Sequence, residues 1–446
     1  MNGPDLQTAI DQAGSPTRLL WRPGSEAWTV PVVQPEFEGW AAEQAAWRTG
    51  VALFDLSFHM FDTFFEGPDV TRLLSEVSAN NYNSFAIGQA KQFVPVAYDG
   101  NIIVDGILLR TDEEAYTLTG VPAAQSWVKY HAQAGGYDVE FSTDPDSSVR
   151  TDADPKLFRF QVQGPLAMEV IERLLGGPAP AVKFFHSATV EIAGRPVRAL
   201  RHGMAGQAGF EFIGEFADYS VVKDAILAAG EPSGLVQVGG KAYFTNGVES
   251  GWIPTPTPAI YTDERLADYR RSLSAFSYEG KKPLNGSFYS DRIEDYYVTP
   301  WELGYGRSIS FDHEFIGKEA LLAARDDVGR TRVTLEFDRD DVRRVLGEDL
   351  DYLNSYGRYR IEGADGLAGM TFWTSHIAPV ATVLSLALVN NAQAEPGTQV
   401  EVVWGEHPGP GTAPDADLGF PRIRATVQTS PYNEFARTAY RANATA

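Results

Sequence analysis

The chain has no cysteine among its 446 residues. Disulfide bonds, thiolate nucleophiles, zinc–thiolate sites and cysteine-held iron–sulfur clusters are therefore excluded. The seven histidines do not show the spacing of metal ligands, so no metal site is expected.

Long apolar runs and an excess of positive charge are also absent. No apolar stretch reaches the roughly 18 to 20 residues needed to span a bilayer. Residues 1–25 lack the basic and apolar regions of a secretory signal, so we expect a cytoplasmic protein without a membrane partner. The net charge of −22 disfavours a nucleic-acid partner, whose phosphates would be repelled. We interpret the acidity as a solubility feature, and the oligomeric state stays open.

The length of the chain predicts two or three domains. The polar stretch 142–155 separates two α+β patterns, and from Arg332 onwards alternating strands are separated by turn residues. Such strands indicate an antiparallel barrel or sandwich. We therefore divide the chain into residues 1–335, with a break near 142–155, and residues 336–446.

Local patterns predict several elements within these regions. Residues 1–50 are interrupted by proline and glycine and predict a surface segment that leads into a first helix over 37–47. After residue 156, a strand, a helix, a hairpin across Ala193-Gly194, a Gly-rich loop that enters a strand over 203–212 and a helix over 219–229 follow one another. This order suggests a ferredoxin-like β-α-β-β-α-β second lobe. The Gly/Pro-rich stretch 405–421 predicts a mobile loop.

The stretch 47–105 is the most informative part of the sequence. It contains LFDLSFHM, an alternating strand over 61–65 and a helix from Val70. A strand pair follows, which turns at Asp99-Gly100 and ends in Asp105-Gly106. This order resembles the opening of the folate-binding fold of the glycine-cleavage aminomethyltransferase (T-protein) family, where LFDVSHM and a strand ending in Asp-Asp are hallmarks.

Four later segments resemble the same family in the same order, so the resemblance covers nearly the whole chain. They are FQVQGPLAMEVI (160–171), GMAGQAGFEFIG (203–214), ESGWIP (249–254) and FDHEFIGKEAL (311–321). The resemblance implies an α+β fold of two lobes plus a C-terminal antiparallel β-barrel, arranged around a central channel. It also implies tetrahydrofolate as the cofactor.

Within this family the chain most resembles the tetrahydrofolate-dependent aryl O-demethylases, which include the vanillate demethylases. The segments that carry this likeness include ESGWIPTPTPAIYT (249–262), IEDYYV (293–298) and GYGRSISFDHEFIG (304–317). The likeness implies a methyltransferase of aromatic catabolism and lignin degradation. Such an enzyme moves a methyl group from a small methoxyaromatic substrate to N5 of tetrahydrofolate, giving a phenol and 5-methyltetrahydrofolate.

This chemistry needs in-line placement of the nucleophile, a dry site and a proton for the departing phenoxide. Tyr243 stands where the O-demethylases resemble one another in carrying a catalytic tyrosine, and the ordinary tyrosine pKa near 10 matches a departing phenol. Asp105 matches the acidic residue that the T-protein places near the reacting folate nitrogens. The alternatives are a structural tyrosine, one of 19, and a plain turn aspartate.

Four residues are candidates for folate binding. Glu211 matches the family glutamate that accepts hydrogen bonds from the pterin ring, a suitable task for a buried carboxylate; otherwise it is an exposed strand residue. Gln161 and Gln163 lie two apart and so share one face of a strand, where their amides read folate or satisfy the backbone. Trp252 either stacks on the pterin or benzoyl ring or packs in the core.

The remaining candidates concern the arene. His59, preceded by Phe58, looks substrate-facing in the O-demethylase branch, although a lone histidine in an apolar strand is often a core residue. Val121 stands where vanillate demethylases resemble one another in having a carboxylate-binding arginine, and Val30 stands where a tyrosine is expected. We therefore hypothesise that the ring either lacks a carboxylate at that position or carries it elsewhere, because an unpaired buried charge costs several kcal/mol.

Three other functions compete with O-demethylation. A folate-dependent demethylase or aminomethyltransferase acting on a small methylamine or sulfonium compound is the main alternative, and aromatic residues around Tyr243 argue against it. An accessory role in iron–sulfur assembly needs a cysteine motif that this chain lacks. A folate-binding module without activity would bind folate and form no methylated product.

Overall fold

Three β-sheets and the helices packed on them form the structure, a computed structural model that describes residues 3–30, 32–151 and 154–442. Two residues of the expected break at 142–155, Asp152 and Ala153, lie outside the described residues. So do residues 1–2 and 443–446, at the outer ends of the two predicted domains.

Two short helices precede the helix expected at 37–47. The first three helices are α1 (Leu6–Ala13), α2 (Pro16–Leu20) and α3 (Trp40–Thr49). The Asp5 side chain caps α1 by accepting from the Thr8 backbone N–H at 2.8 Å, and Ser15 caps α2, which has proline at its first position. The prediction that residues before 37 form only a surface segment was therefore wrong, and the expected first helix begins three residues later.

The first lobe is built on a five-stranded antiparallel sheet with the strand order β3-β4-β5-β2-β6. After β1 (Ala52–Asp55), which pairs in the second sheet, its elements in chain order are β2 (Phe61–Glu66), α4 (Val70–Glu76), β3 (Ala90–Phe93), β4 (Gly106–Asp112), β5 (Ala115–Gly120), α5 (Pro122–Ala134) and β6 (Glu140–Asp144). The expected strand at 61–65 and helix from Val70 are confirmed. Asp105, however, immediately precedes β4 and does not end a strand, which corrects the predicted strand pair.

The second lobe is built on a six-stranded sheet with the order β11-β1-β7-β10-β9-β8. Its elements are β7 (Leu157–Gln163), α6 (Ala167–Leu175), β8 (Ser187–Ile192), β9 (Arg195–Leu200), β10 (Gly209–Glu215), α7 (Tyr219–Gly230) and β11 (Val236–Val238). The predicted hairpin at Ala193-Gly194 is confirmed. The ferredoxin-like order was wrong, because the chain between α6 and α7 forms three strands and β1 inserts between β11 and β7.

Loops dominate the connection between the second lobe and the C-terminal region. The short helices within it are α8 (Gly240–Tyr243), α9 (Asn246–Ser250), α10 (Ala267–Ser272), α11 (Tyr278–Lys281) and α12 (Lys318–Ala323). Two of them, α8 and α9, flank the site described below.

The C-terminal region is a closed antiparallel barrel of six strands. Its elements are β12 (Arg330–Phe337), α13 (Arg339–Leu346), β13 (Asn354–Ser355), β14 (Arg360–Gly363), β15 (Gly366–Ile377), β16 (Thr382–Asn390), β17 (Gln399–Val403), β18 (Arg422–Gln428) and α14 (Glu434–Thr438). The order β15-β14-β17-β18-β12-β16 closes because β16 pairs with β15. The predicted barrel is confirmed, while the boundary at 335/336 falls inside β12 and the two-domain division stays a prediction.

Side-chain packing connects the barrel to the first lobe. One hydrophobic cluster contains Phe65 and Trp127 of the first lobe together with Phe372 and Leu386 of the barrel, whereas the second lobe has a cluster of its own. The central channel implied by the resemblance stays a prediction. No helix within residues 3–30, 32–151 and 154–442 is long and apolar enough to cross a membrane.

The loop between β17 and β18, expected to be mobile, is anchored to the N-terminal region. The Trp21 indole N–H donates to the His407 carbonyl at 3.1 Å. The His407 ring accepts from the Gly409 backbone N–H at 2.9 Å and stacks on Tyr289 at 4.6 Å. The loop is therefore attached at its beginning.

Candidate active site

Tyr243, at the end of α8, lies in a buried aromatic pocket with His59. The two ring centres are 4.4 Å apart, and Phe244 packs against both rings. Burial raises the pKa of Tyr243 well above its ordinary value, so the phenol stays protonated. Its hydroxyl donates to the Met204 sulfur at 3.1 Å. A thioether is a weak acceptor, so this proton is available to a better one.

His59 is neutral at physiological pH. Burial lowers its pKa to about 4, although the charges of Asp55 and Glu211 oppose this shift. Its Nε2 atom is buried and has no hydrogen-bond partner among the described residues. The structure thus brings the two predicted residues Tyr243 and His59 together, with one imidazole nitrogen unused.

Glu211 belongs to a buried charge network on the second sheet. On β7, alternate residues share a face, and Arg159 and Gln161 both point towards Glu211 on the neighbouring strand β10. Arg159 Nη1 donates to Glu211 Oε1 at 2.9 Å, and Gln161 Nε2 donates to Oε2 at 2.8 Å. Both carboxylate oxygens of Glu211 therefore already have a protein partner, and only their remaining lone pairs face a ligand.

Asp62 shares the same guanidinium. Arg159 Nη2 donates to Asp62 Oδ1 and to the Thr119 hydroxyl, both at 3.0 Å. Burial is the largest influence on the pKa of Glu211 and raises it, but the charges of Arg159 and His202 and the hydrogen bonds from Gln161 and Arg159 together leave that pKa below its ordinary value. Burial raises the pKa of Asp62, and the opposing effects of Arg159 and Thr119 do not offset it. The network therefore keeps Glu211 ionised at physiological pH.

The Gln163 side chain makes hydrogen bonds to the backbone of the loop that follows β9. Its Oε1 accepts from the Ala205 backbone N–H at 3.1 Å, and its amide donates to the His202 carbonyl at 3.4 Å. Gln161 Oε1 accepts from the Met204 backbone N–H at 3.3 Å. The two glutamines thus hold the loop that carries Met204, the acceptor of the Tyr243 hydroxyl.

Asp105 forms a second polar centre. Its Oδ2 accepts from Gln92 Nε2 at 2.8 Å and from the Trp252 indole N–H at 2.9 Å. Burial raises its pKa to about 6, in spite of these two donors. Its Oδ1 is buried and has no hydrogen-bond partner among the described residues. Trp252 is thus oriented by Asp105, and one carboxyl oxygen remains for a ligand.

Tyr305 and Arg332 complete this centre and were not among the sequence-based candidates. The Tyr305 hydroxyl lies close enough to Asp105 for each group to shift the pKa of the other. Within the described part of the chain, neither this hydroxyl nor Arg332 Nε has a hydrogen-bond partner. Asn80 connects β3, which carries Gln92, to the segment that follows Tyr305. Its amide donates to the Gln92 carbonyl at 2.7 Å and to the Ser308 carbonyl at 3.1 Å.

The other predicted substrate contacts, Phe58, Val121 and Val30, lie in three different surroundings. Phe58 points towards the second lobe, where its ring meets Phe216 and Tyr219 edge-on, each at 5.9 Å. Val121 precedes the first residue of α5 and packs against the cluster that joins the first lobe to the barrel. Val30 is buried and lies two residues after Trp28, whose ring contacts Phe244 at 5.6 Å.

One of the missed residues carried a signal in the sequence. Arg159 lies on the same face of β7 as the two glutamines, and the opposite face, Phe158, Phe160 and Val162, packs into the second-lobe cluster. An arginine in such a strand needs a buried partner. Tyr305 and Arg332 carried no comparable signal, because only the folded chain brings them to Asp105. Among the described residues, no three His, Asp or Glu side chains are grouped to hold a metal ion.

Comparison with known families and proteins identifies the relatives of this chain. The GCVT N-terminal domain family model matches residues 23–257, which is more than half of the chain. The chain belongs to the GCVT family. The resemblance to the aminomethyltransferase family in the sequence is thereby confirmed.

Individual GCVT relatives match almost end to end. A syringate O-demethylase from Sphingobium sp. (strain NBRC 103272 / SYK-6) is 37% identical, over 98% of this chain and 97% of that protein. A sesamin methylene transferase from Sinomonas sp. (strain No.22) is 30% identical, over 89% of each. The crystal structure of the glycine cleavage system aminomethyltransferase T from Bartonella henselae matches with a TM-score of 0.61 at 19% identity, over 95% of this chain and 96% of that one. This last likeness confirms the predicted aminomethyltransferase fold.

Proposed function

We propose that this GCVT protein is a tetrahydrofolate-dependent O-demethylase, a methyltransferase that moves a methyl group from a methoxylated aromatic compound to N5 of tetrahydrofolate. The products are a phenol and 5-methyltetrahydrofolate. The observation that carries the proposal is the buried Tyr243 hydroxyl, which faces only a thioether and lies against a neutral histidine. The 37% identity with a syringate O-demethylase supports it over nearly the whole chain.

The polar centre at Asp105 suits the folate end of the reaction. Its unpartnered atoms, Asp105 Oδ1, Tyr305 Oη and Arg332 Nε, are a mixed set of acceptors and donors, as a reduced pterin with ring N–H groups and a carbonyl requires. Tetrahydrofolate, when bound, supplies N5 as the nucleophile that takes the methyl group. Asp105 is largely ionised at neutral pH, because its pKa is about 6, and it can therefore accept a proton at Oδ1.

Tyr243 acts at the arene end as the donor to the departing ether oxygen. Burial raises its pKa well above the ordinary value, and the same dry surroundings would also raise the pKa of the departing phenol. A preorganised donor at the departing oxygen nevertheless stabilises the developing negative charge in a dry pocket. The tyrosine thus keeps the role of catalytic donor that the sequence predicts.

Glu211 and His59 have supporting roles in this proposal. Arg159 keeps Glu211 ionised, so its remaining lone pairs can accept hydrogen bonds from the pterin ring. The neutral His59 contributes an apolar edge and one free nitrogen to the arene pocket. Gln161 and Gln163 act through the loop that carries Met204.

Anaerobic incubation with tetrahydrofolate and a panel of methoxyarenes tests the proposal. Mass spectrometry should show 5-methyltetrahydrofolate and the matching phenol in equal amounts. Syringate, vanillate and guaiacol separate the ring substituents, and a methylamine and a sulfonium compound test the alternative activity. A methylated folate that arises only from an amine or sulfonium donor would contradict the O-demethylase assignment, and so would a methylene-folate product from an arene.

Replacing one tyrosine hydroxyl tests the role of Tyr243. Tyr243→Phe should lower kcat by about 10²- to 10³-fold, the range for removing one donor at a developing oxyanion, with tetrahydrofolate binding unchanged. Tyr269→Phe is the matched control, because the Tyr269 hydroxyl is also buried without a partner among the described residues but lies among α5 and α10 residues. An equal loss in both variants would rule out a catalytic role for Tyr243.

A further inference from the structure

Lys282 and Arg358 are two buried cations with no acidic partner in the described residues. Lys282 is 7% exposed and Arg358 is 2% exposed. The chain carries 59 acidic residues against 37 basic ones, yet Arg358, rather than any carboxylate, is the charged group that affects the pKa of Lys282. The ionisable groups that affect the pKa of Arg358 are the phenols of Tyr278 and Tyr296, which are uncharged at neutral pH.

The surroundings of Arg358 fix its position but leave its charge uncompensated. Its Nη1 donates to the Tyr356 carbonyl at 2.7 Å and to the Phe372 carbonyl at 3.2 Å, and Nη2 donates to the Thr255 carbonyl at 3.1 Å. The guanidinium also lies over the Phe372 ring at 4.3 Å. Its Nε is buried and makes no hydrogen bond to the described residues. Neutral carbonyls hold this cation, and one N–H remains unused.

Lys282 lies three residues before Asn285, whose carbonyl accepts from the Arg358 backbone N–H at 2.8 Å. Its ammonium is 5.7 Å from the centre of the Tyr278 ring, and no ion pair links it to an acidic group of the described residues. Burial, together with the charge of Arg358, lowers its pKa well below the ordinary lysine value. Two adjacent cations in such a setting repel each other and lose hydration. An anion placed between them would reverse both penalties.

A chain of contacts connects Arg358 to the helix that follows Tyr243. Tyr356, whose carbonyl binds Arg358, has its ring 5.4 Å from Trp373. The Trp373 ring in turn packs on Gly247, four residues after Tyr243. The Tyr356 phenol is also close enough to contribute to the raised pKa of Tyr243. Tyr356 and Trp373 thus connect Arg358 to α9, the helix that follows Tyr243.

We propose that Lys282 and Arg358 form a carboxylate-binding subsite for a reactant of the Tyr243 site. The inference rests on the proposed function, in which two reactants carry a carboxylate: a methoxybenzoate through its ring acid and tetrahydrofolate through its glutamate. A guanidinium N–H and an ammonium suit the two oxygens of one carboxylate. The subsite also gives a ring carboxylate a place in a chain with valines at 30 and 121.

Binding measurements that need no turnover test the subsite. Tryptophan fluorescence of the full-length protein is titrated with syringate and with syringol, the same ring without the carboxylate. A second pair is tetrahydrofolate and a tetrahydropterin that lacks the glutamate. Lys282→Met should weaken one carboxylate-bearing ligand by about 10- to 100-fold, the range for losing a hydrogen bond to a charged group, and leave its neutral counterpart unchanged. The affected pair identifies the source of the carboxylate.

Two further variants keep the test decisive. Lys282→Arg retains the charge and should restore most of the affinity. Lys129→Met is the matched control, because Lys129 is partly buried over the Phe61 ring but has Glu279 as a charged neighbour, and it should change neither pair. A Lys282→Met protein that binds both members of each pair as the wild type does, or loses both members equally, would overturn the subsite.

The subsite and the proposed function fail in different ways. If the wild-type protein forms no 5-methyltetrahydrofolate from any arene, the O-demethylase proposal fails, whatever the titrations show. If it turns over methoxyarenes but Lys282→Met leaves every carboxylate affinity unchanged, only the subsite fails. Thermal unfolding gives a separate readout: in the absence of ligand, Lys282→Met should melt at a higher temperature, because it removes an uncompensated buried charge.

Discussion

Asp105 combines near-complete burial with one carboxyl oxygen that no described residue contacts. Burial raises its pKa from the ordinary 3.8 to about 6 in the folded protein. Between these two values the folded chain holds a proton that the unfolded chain has lost. The contribution of this group to stability is therefore fully present below about pH 4 and is lost as the pH rises through 6. At neutral pH the ionised Asp105 destabilises the fold.

Asp105→Asn should therefore make the protein more stable and less active. At pH 8 we expect the free energy of unfolding to rise by about 1 to 3 kcal/mol, the size of a shift of about two pKa units. The gain should shrink as the pH falls towards 5, because the wild-type carboxyl then becomes neutral. Urea unfolding of both proteins at several pH values measures the difference, and kcat/KM is measured in parallel. A pH-independent difference in stability would contradict this account.

The sequence identified candidate residues that stand in a local motif. It missed residues that only the folded chain brings to the site. Tyr243, His59 and Asp105 stand in motifs that can be read along the chain. Tyr305 approaches Asp105 from 200 positions away, and periodicity within a short window cannot reveal such a pair. The role of Tyr243 was predicted, but the pKa that governs it depends on burial, which no motif specifies.

At the scale of elements, the loop after β9 connects Gln161 and Gln163 of β7 to Tyr243. Tyr440, beyond α14, accepts from the Gly203 backbone N–H at 2.7 Å and also donates to the Gly203 carbonyl. A methyl group on Gly203 would lie 0.8 Å from the Gln163 side-chain nitrogen. Gly203 is thus enclosed by Gln163 on one side and by the C-terminal segment on the other, and the position of Met204 depends on both.

Gly203→Ala should displace this loop. We expect kcat/KM to fall by about 10-fold or more, because a shift of about 1 Å in a positioning group has effects of this size. Stability should fall by about 1 to 3 kcal/mol, as for overpacking of a filled interior. Gly177→Ala is the matched control, because that position has a negative φ and no heavy atom within 4 Å of an added methyl group. Equal kinetics for the two variants would refute the loop's role in positioning.

The helices and strands that were predicted correctly are those with strong local signals in the sequence. The helix α4 and the hairpin β8–β9 were predicted because a turn residue and a clear period mark each one. α1 and α2 were missed although Asp5 and Ser15 are good capping residues, because they are short and lie among proline and glycine. The insertion of β1 into the second sheet could not be predicted, since its pairing with β7 joins residues more than 100 positions apart.

At the scale of the whole molecule, packing does not follow the predicted division at residue 335. Along β16 the even positions, Leu384, Leu386 and Leu388, face the cluster shared with the first lobe, and Val383, Ala387 and Val389 face the barrel interior. The first lobe and the barrel should therefore unfold together. The second lobe has its own cluster and should retain protection separately.

Two truncations in one strand test this coupling. Leu386→Ala should destabilise the protein by about 2 to 5 kcal/mol, the usual cost of a cavity from a buried leucine. Amide hydrogen exchange should then rise in α5 of the first lobe as well as in the barrel, with α6 of the second lobe unchanged. Val389→Ala, on the opposite face of the same strand, should raise exchange in the barrel and much less in α5. If Leu386→Ala left α5 as protected as in the wild type, the barrel would be an independent domain. The division of the chain near residue 335 would then describe its folding units after all.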